Sequence, residues 1–322
     1  MSMVLVHQNE DQMDADIVGK LRAAAGSREL LITTDPATIK GRLDAIEVLA
    51  GHAPIEVLLS AENCRWVQLF SAGADALLMR HPQTRDMDFQ LTNVSGIHAI
   101  SITEHIFALM LTLARDIQGA IRNQQAGDWR RLSHIAVQEV AGSTMCLLGV
   151  GSIGSRVALT ARAFDIRVVA VRRHADLAVP QGVAAVYGPD EMETPLAQAD
   201  WVVSCLPHTP GTHELIGTAA FDAMPPDAYF INIGRGKVVD EPVLIAALQT
   251  GGIKGAGLDV TYAEPNPPDS PLWRMDNVIL TSHYSGMSVE YGRRAGEIFL
   301  DNLRRYASGR PLRNLVDKQL GY

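Results

Sequence analysis

Apolar residues fall along this chain in two alternating rhythms. Short apolar runs at 3–6, 30–33 and 56–60 predict buried strands, and spacings of three and four over 14–25 and 36–50 predict helices between them. A further strand is expected at 66–70, and Leu91-Thr92-Asn93 leads through Gly96 into a long helix at about 100–118. The face formed by Ile102, Ile106, Leu109, Met110 and Leu113 is apolar enough to be covered by two layers, as in a helix that joins two domains. A second series follows. An apolar run at 145–148 precedes strand candidates at 166–171, 185–187, 201–205, 228–233, 255–259 and 278–281, with helices at 195–199, 213–220 and 241–250. Such alternation builds a second doubly wound sheet of about six strands. A last helix at 289–306 and a short tail return the chain to the first sheet. The fold class is therefore α/β: two doubly wound, Rossmann-like parallel-sheet domains with a cleft between them, one made of 1–98 plus 286–322 and the other of 99–285.

Composition narrows the partners. The 322 residues are enough for two cores, and 47% of them are apolar. Lys+Arg 28 against Asp+Glu 36 leaves a net charge of −8, and no basic cluster offers a groove to nucleic acid. Cys64, Cys146 and Cys205 show no C-x-x-C spacing, and two lie in strand-like runs, so buried thiols in a reducing compartment are expected and no metal site is. The first residues lack the basic and apolar regions of a signal peptide, and the longest apolar run, 106–114, contains Thr112 and is too short to span a bilayer. A soluble, cytoplasmic protein follows from these features.

The strongest chemical signal is Gly149-Val150-Gly151-Ser152-Ile153-Gly154, set between the 145–148 run and a helical pattern of Val157, Ala158, Ala161 and Phe164. The first glycine permits a tight turn, the second lets the main chain approach a pyrophosphate, and the third lets helix and strand pack closely. The helix N–H groups and its positive dipole end then face the phosphates. Strand, glycines, helix and second strand in that order predict dinucleotide binding. Other segments carry two readings each. Ser71-Ala72-Gly73-Ala74-Asp75 suits a ligand at the end of a strand, or an ordinary glycine turn. Glu104 and His105 are a conceivable catalytic pair, with a structural role favoured. The polar, irregular 122–138 stretch, with Gly127-Asp128-Trp129-Arg130-Arg131, suits a subunit contact in a homodimer or a surface loop with one anchored indole.

Blocks over nearly the whole chain resemble the D-isomer-specific 2-hydroxyacid dehydrogenases. They are Ser71–Asp75, Thr103-Glu104-His105, the glycine loop, Leu206-Pro207-His208-Thr209, Asn232-Ile233-Gly234-Arg235-Gly236, Gly257-Leu258-Asp259-Val260 with Glu264-Pro265, and Ser282-His283. The likeness is greatest to the glyoxylate and hydroxypyruvate reductases. It implies a flavodoxin-like substrate-binding domain, a dinucleotide-binding Rossmann domain, and catalysis in the cleft, whose closure excludes water. It also implies that Arg235 grips the substrate carboxylate and carbonyl, that His283 donates a proton, and that Glu264 orients and charges His283. Ala72 and Gly73 would line the substrate site beside Arg235 and His283, with Ser285 and Gly286 as pocket lining. A guanidinium suits a carboxylate next to a carbonyl, and a carboxylate beside histidine favours its protonated form. Where the family usually has proline before the histidine, this chain has Ser282, which leaves the rigidity of that loop open.

Cofactor contacts implied are Gly149, Gly151, Ser152, Ile153, Gly154, Leu206, Pro207, Thr212, Ile233 and Asp259, the last resembling an acid that touches the nicotinamide carboxamide. At the end of the second strand, where NAD-binding versions carry an acid for the ribose hydroxyls, stand Arg172 and Arg173, followed by His174. Guanidinium groups there attract a 2′-phosphate, so NADP(H) is preferred and NAD(H) possible. The expected activity is reduction of a small 2-oxo acid, of glyoxylate or hydroxypyruvate type, to the D-2-hydroxy acid. The rivals are an NAD-dependent phosphoglycerate or formate dehydrogenase, the latter disfavoured by Glu264, and a dinucleotide-sensing binding protein like the C-terminal-binding corepressors.

Overall fold

Residues Met3, Val4, Leu5 and Val6 expose no surface, because the strand they form has other strands on both sides. A computed structural model of the chain describes residues 2–129 and 137–321. It divides into two units, Met1–His98 with Ser288–Tyr322, and Ala99–Met287.

The first unit alternates β1 (Met3–His7), α1 (Ala15–Ala25), β2 (Glu29–Ile32), α2 (Pro36–Lys40), β3 (Ile46–Gly51), α3 (Ile55–Ser60), β4 (Trp66–Gln68), α4 (Asp75–Arg80) and β5 (Gln90–Thr92). Its strands are all parallel, in the order β2-β1-β3-β4-β5, which is the flavodoxin-like order. Asp14 starts α1 by accepting the N–H groups of Asp16 and Ile17. The C-terminal helix, Tyr291–Ala307, belongs to this unit and lies so close to α1 that a Cβ on Gly296 would stand 2.8 Å from Ile17. Its buried Asn302 donates to Gln68 at 3.0 Å, and the tail then pairs Leu315 with Thr92 at the edge of β5.

The prediction for 36–60 is corrected here. The strand is β3 at 46–51 and the helix is α3 at 55–60, the reverse of the expectation for 56–60 and for the later part of 36–50. Both segments are apolar and short. β3 pairs on one side with β1 and on the other with β4, whereas α3 follows Pro54 and buries only Leu58.

The second unit begins with α5 (Ala99–Ala114) and α6 (Ile117–Ala126) and continues through β6 (Thr144–Leu148), α7 (Ser152–Ala161), β7 (Arg167–Val171), β8 (Ala185–Tyr187), α8 (Glu193–Leu196), β9 (Trp201–Ser204), α9 (Thr218–Ala223), β10 (Tyr229–Asn232), α10 (Glu241–Thr250), β11 (Gly255–Leu258) and β12 (Val278–Leu280). Seven parallel strands run in the order β12-β11-β10-β9-β6-β7-β8, one more than the estimate of about six. Successive residues of β6 serve opposite faces. Met145 and Leu147 pack with Ile106 and Met110 of α5, while Cys146 and Leu148 join Val202 and Phe230 on the other side.

The long helix expected at 100–118 is broken. Asp116 turns into the left-handed region at φ +50 and its carboxylate accepts the Gly119 N–H at the start of α6, so residues 122–126 are helical, not irregular. The helix expected at 213–220 starts only at Thr218, because Ile216 is held in a bridge to Val239. Trp129 is 94% exposed, and its expected companions Arg130 and Arg131 lie outside the described residues. Among the described residues no helix is long and apolar enough to cross a membrane.

Candidate active site

In the second unit the chain reverses direction across the sheet between β6 and β9, and loops leave the carboxyl ends of both strands there. An open parallel sheet offers its ligand crevice at such a point. Gly149 follows β6 at φ +95, where a Cβ would press on the Cys205 carbonyl and the Leu206 side chain, each at 3.4 Å. Around Gly151 nothing lies within 4 Å of a Cβ position, so the loop is open on that side. At Gly154 a Cβ would fall 2.4 Å from the Gly149 carbonyl oxygen, so only glycine lets α7 start this close to the loop. No side chain caps α7 at Gly151, and its first N–H groups, with Ser152 and Ile153 in the first turn, are presented as anion donors. These features fit the pyrophosphate of a dinucleotide.

Arg235, Glu264 and His283 come from the loops after β10, β11 and β12, neighbouring strands of this same sheet. The Arg235 backbone is extended and its position is fixed by Asn232, which accepts the Gly234 N–H at 3.1 Å and donates to the Arg235 carbonyl at 3.1 Å. The flanking glycines matter for packing. A Cβ on Gly234 would lie 2.4 Å from the Leu206 carbonyl oxygen, and one on Gly236 only 1.8 Å from that of Thr261. Ile233 is buried beneath this turn. Thr261 belongs to the turn that carries Glu264, so the Arg235 and Glu264 loops touch backbone to backbone.

Glu264 Oε2 stands 2.7 Å from His283 Nδ1, with both side chains partly exposed, at 38% and 46%. That bond holds the His283 pKa above the ordinary histidine value, against the opposing effects of burial and of the nearby Arg235 charge. His283 itself lies in the left-handed region, φ +54, where a residue other than glycine stays only if its surroundings hold it. Asp259 supplies that hold. Its carbonyl accepts the His283 N–H at 2.8 Å, and its carboxylate accepts Thr281 Oγ1 at 2.6 Å and the Tyr284 and Ser285 N–H groups at 3.1 Å each. Asp259 is 1% exposed as a residue; burial works to raise its carboxylate pKa, but the bonds from Ser285 and Thr281 outweigh burial and keep it low. The loop with Ser282 in place of proline is thus braced from below by Asp259. Glu104 is exposed, whereas His105 is half-buried against Thr281 and Tyr284.

Other predicted residues are spread around these loops. Thr212 closes its own turn by donating to the Pro207 carbonyl at 2.6 Å, after Leu206. Arg172 and Arg173 follow β7, as expected from the sequence, but a nitrogen of Arg172 is engaged by the carbonyls of Leu177 at 2.5 Å and Ala178 at 2.9 Å. Ala72 and Gly73 lie in the first unit, in the loop after β4, where Asn93 donates to the Ala72 carbonyl and Ser71 to that of Gly73. Burial pushes the Cys64 thiol up to about 11 and the Cys146 thiol to about 12, which keeps both protonated and unreactive. Among the described residues no group of three or more His, Cys, Asp or Glu could hold a metal ion. Sequence reasoning assigned no role to Asn232 or Thr281, whose short polar side chains at strand ends were the only signal available.

The profile of the family described as "D-isomer specific 2-hydroxyacid dehydrogenase, NAD binding domain" matches residues 107–285. A glyoxylate reductase of Korarchaeum cryptofilum is 32% identical over 85% of this chain and 82% of its own length. Glyoxylate/hydroxypyruvate reductase B of an Enterobacter species is 37% identical over 88% of this chain and 89% of its own. Among solved structures, an NADPH-dependent glyoxylate/hydroxypyruvate reductase from Sinorhizobium meliloti, in complex with NADP and sulfate, has a TM-score of 0.84 at 27% identity, with all of both chains covered.

Proposed function

We propose that this chain, which belongs to the D-isomer specific 2-hydroxyacid dehydrogenase family and is an oxidoreductase, reduces a small 2-oxo acid of the glyoxylate or hydroxypyruvate type to its D-2-hydroxy acid. The observation that carries this reading is the 2.7 Å pairing of His283 with Glu264 on a loop adjacent to that of Arg235. Nδ1 of His283 is committed to the carboxylate, which leaves Nε2 as the nitrogen that gives up the proton. The raised pKa extends the pH range over which the imidazole is charged, which favours its role as proton source in the reducing direction. Arg235 binds the substrate carboxylate in its planar fork and draws electron density from the adjacent carbonyl. As charge develops on the carbonyl oxygen, His283 protonates it; solvent then recharges the imidazole. The bound dihydronicotinamide supplies the hydride. Gly149, Gly151, Ser152, Ile153 and Gly154 would hold its pyrophosphate, and Leu206, Pro207, Thr212, Ile233 and Asp259 would supply its further contacts.

The preferred coenzyme is NADPH. Two arginines stand where an acid would hold the ribose hydroxyls, and the Sinorhizobium meliloti enzyme reported above is NADPH-dependent. Arg172 has to release or share its loop carbonyls to meet a phosphate. Turnover of a panel of 2-oxo acids with NADPH and with NADH tests both halves of the reading. Activity on glyoxylate or hydroxypyruvate with a higher kcat/KM for NADPH is expected. No turnover on any short 2-oxo acid overturns the substrate assignment, and a clear NADH preference overturns the role of the arginines. A homodimer through 122–138 belongs to the same reading and is checked by sedimentation.

A further inference from the structure

We propose that His105, on α5, is a positioning residue for the proton donor: it ties the helix to the two residues that flank His283 and so holds the strained loop in register with Glu264. The proposal rests on the role of His283 given above. His105 Nε2 lies 3.0 Å from Thr281 Oγ1, and its ring meets that of Tyr284 edge to face, with centroids 5.4 Å apart. Thr281 is two residues before His283 and Tyr284 one after it. One turn earlier on the same helix, Ser101 donates to the Gly286 carbonyl at 3.1 Å, so α5 grips both ends of the loop.

The proton inventory fixes the direction of the His105 bond. Thr281 has a single hydroxyl hydrogen, and at 2.6 Å it goes to the Asp259 carboxylate, which can only accept. The hydroxyl oxygen therefore accepts from His105, whose Nε2 must carry a hydrogen. The resulting chain runs from the His105 N–H to the Thr281 hydroxyl and on to Asp259, the group that also fixes the backbone of His283, Tyr284 and Ser285. Among the described residues, Asp259 is the charged group that faces His105, 3.8 Å away, and burial favours the neutral ring. His283 is faced by Glu264, Arg235 and Asp259. A left-handed histidine has little tolerance for a loosened frame, because relaxation of φ +54 swings the imidazole away from Glu264.

The test is a titration of the His283 ring by NMR in the coenzyme-free protein, with the resonance assigned by its loss in His283→Ala. In His105→Phe, which keeps an aromatic ring against Tyr284 but donates nothing, the His283 pKa should fall as the Glu264 bond weakens. His105→Gln, which restores an N–H donor at similar reach, should recover most of the shift. In steady-state turnover the Phe variant should lose about tenfold in kcat with KM for the oxo acid within twofold. Thr281→Val removes the relay without touching the helix and serves if the His105 variants fold poorly. It should lower the His283 pKa alike, and His105→Phe in that background should add nothing. An unshifted His283 titration in His105→Phe and Thr281→Val overturns the proposal, as does a Gln variant no better than Phe. A helix-packing role alone would lower Tm and leave the titration in place. Because the titration needs no substrate, a wrong substrate assignment would appear as absent wild-type turnover and leave this result intact.

Discussion

Replacing Gly236 by alanine probes how the site is held together. The new Cβ would stand 1.8 Å from the Thr261 carbonyl oxygen and 2.1 Å from its carbon, both backbone atoms that cannot rotate away. To reach even the 3.0 Å that real contacts respect, the Arg235 and Glu264 loops must part by about 1.2 Å. Overpacking of this kind costs about 1–3 kcal/mol. In a domain of this size each kcal/mol lowers Tm by about 2–4 °C. Misplacement of catalytic groups by about 1 Å costs on the order of 10²-fold in rate. Gly236→Ala should therefore lose about 10²-fold in kcat/KM for the 2-oxo acid, with coenzyme affinity nearly unchanged because the glycine loop after β6 is untouched. Gly19→Ala, inside α1 with nothing within 4 Å of the new methyl, is the control and should be neutral or slightly stabilising. Steady-state kinetics and thermal melts of both variants decide the matter. A Gly236→Ala enzyme with kcat/KM within threefold of wild type and an unmoved Tm would show that the two loops do not share this contact.

Glu264→Gln removes the charge that raises the His283 pKa. Reduction needs the protonated ring, so the rate falls as pH rises through that pKa, and in the variant the fall should come at lower pH; an unmoved pH profile would contradict the pairing. The sign for stability is the same: a histidine pKa raised on folding contributes stability below the ordinary histidine range and loses it as pH rises through the raised value, so the Tm gap between wild type and variant should close at alkaline pH, a small effect for a half-exposed pair. Asp259→Asn leaves at least one buried loop donor facing an amide, at a cost of about 1–3 kcal/mol. It should lower Tm and reduce kcat tenfold or more with coenzyme Kd within threefold, whereas a large rise in Kd with unchanged kcat would mean that the carboxylate serves the coenzyme and not the loop.

Features with one physical solution were legible in the sequence. The strand, three glycines and helix from 144 to 161 admit few alternatives, and β6, α7 and β7 stand where the pattern places them. The 46–60 region was not legible. Ile46-Glu47-Val48-Leu49 and Ile55-Glu56-Val57-Leu58 are the same four residues in the same order, and only pairing with β1 and β4 makes a strand of the first. The break at Asp116 was hidden for a related reason, since neither glycine nor proline occupies the turn position itself and its left-handed turn is secured by the cap it makes on α6 at Gly119. In the site, Arg235, Glu264 and His283 were legible as residue types in recurring blocks. The reasons for their surroundings were not. Gly234 and Gly236 are pressed against the backbones of Leu206 and Thr261, and the support beneath His283 joins Asp259, Thr281 and His105 from widely separated segments. Periodicity along a chain carries no information about such contacts.

The central claim is that His283, charged through Glu264, protonates the oxygen of a 2-oxo acid while Arg235 holds its carboxylate. Its most direct test is single-turnover reduction of glyoxylate or hydroxypyruvate by the NADPH complexes of the wild type and His283→Ala, followed by nicotinamide absorbance, with coenzyme Kd measured separately. Loss of a general acid should slow the variant by about 10²–10⁴-fold at unchanged coenzyme Kd. A His283→Ala protein that turns over its bound coenzyme at close to the wild-type rate would contradict the claim.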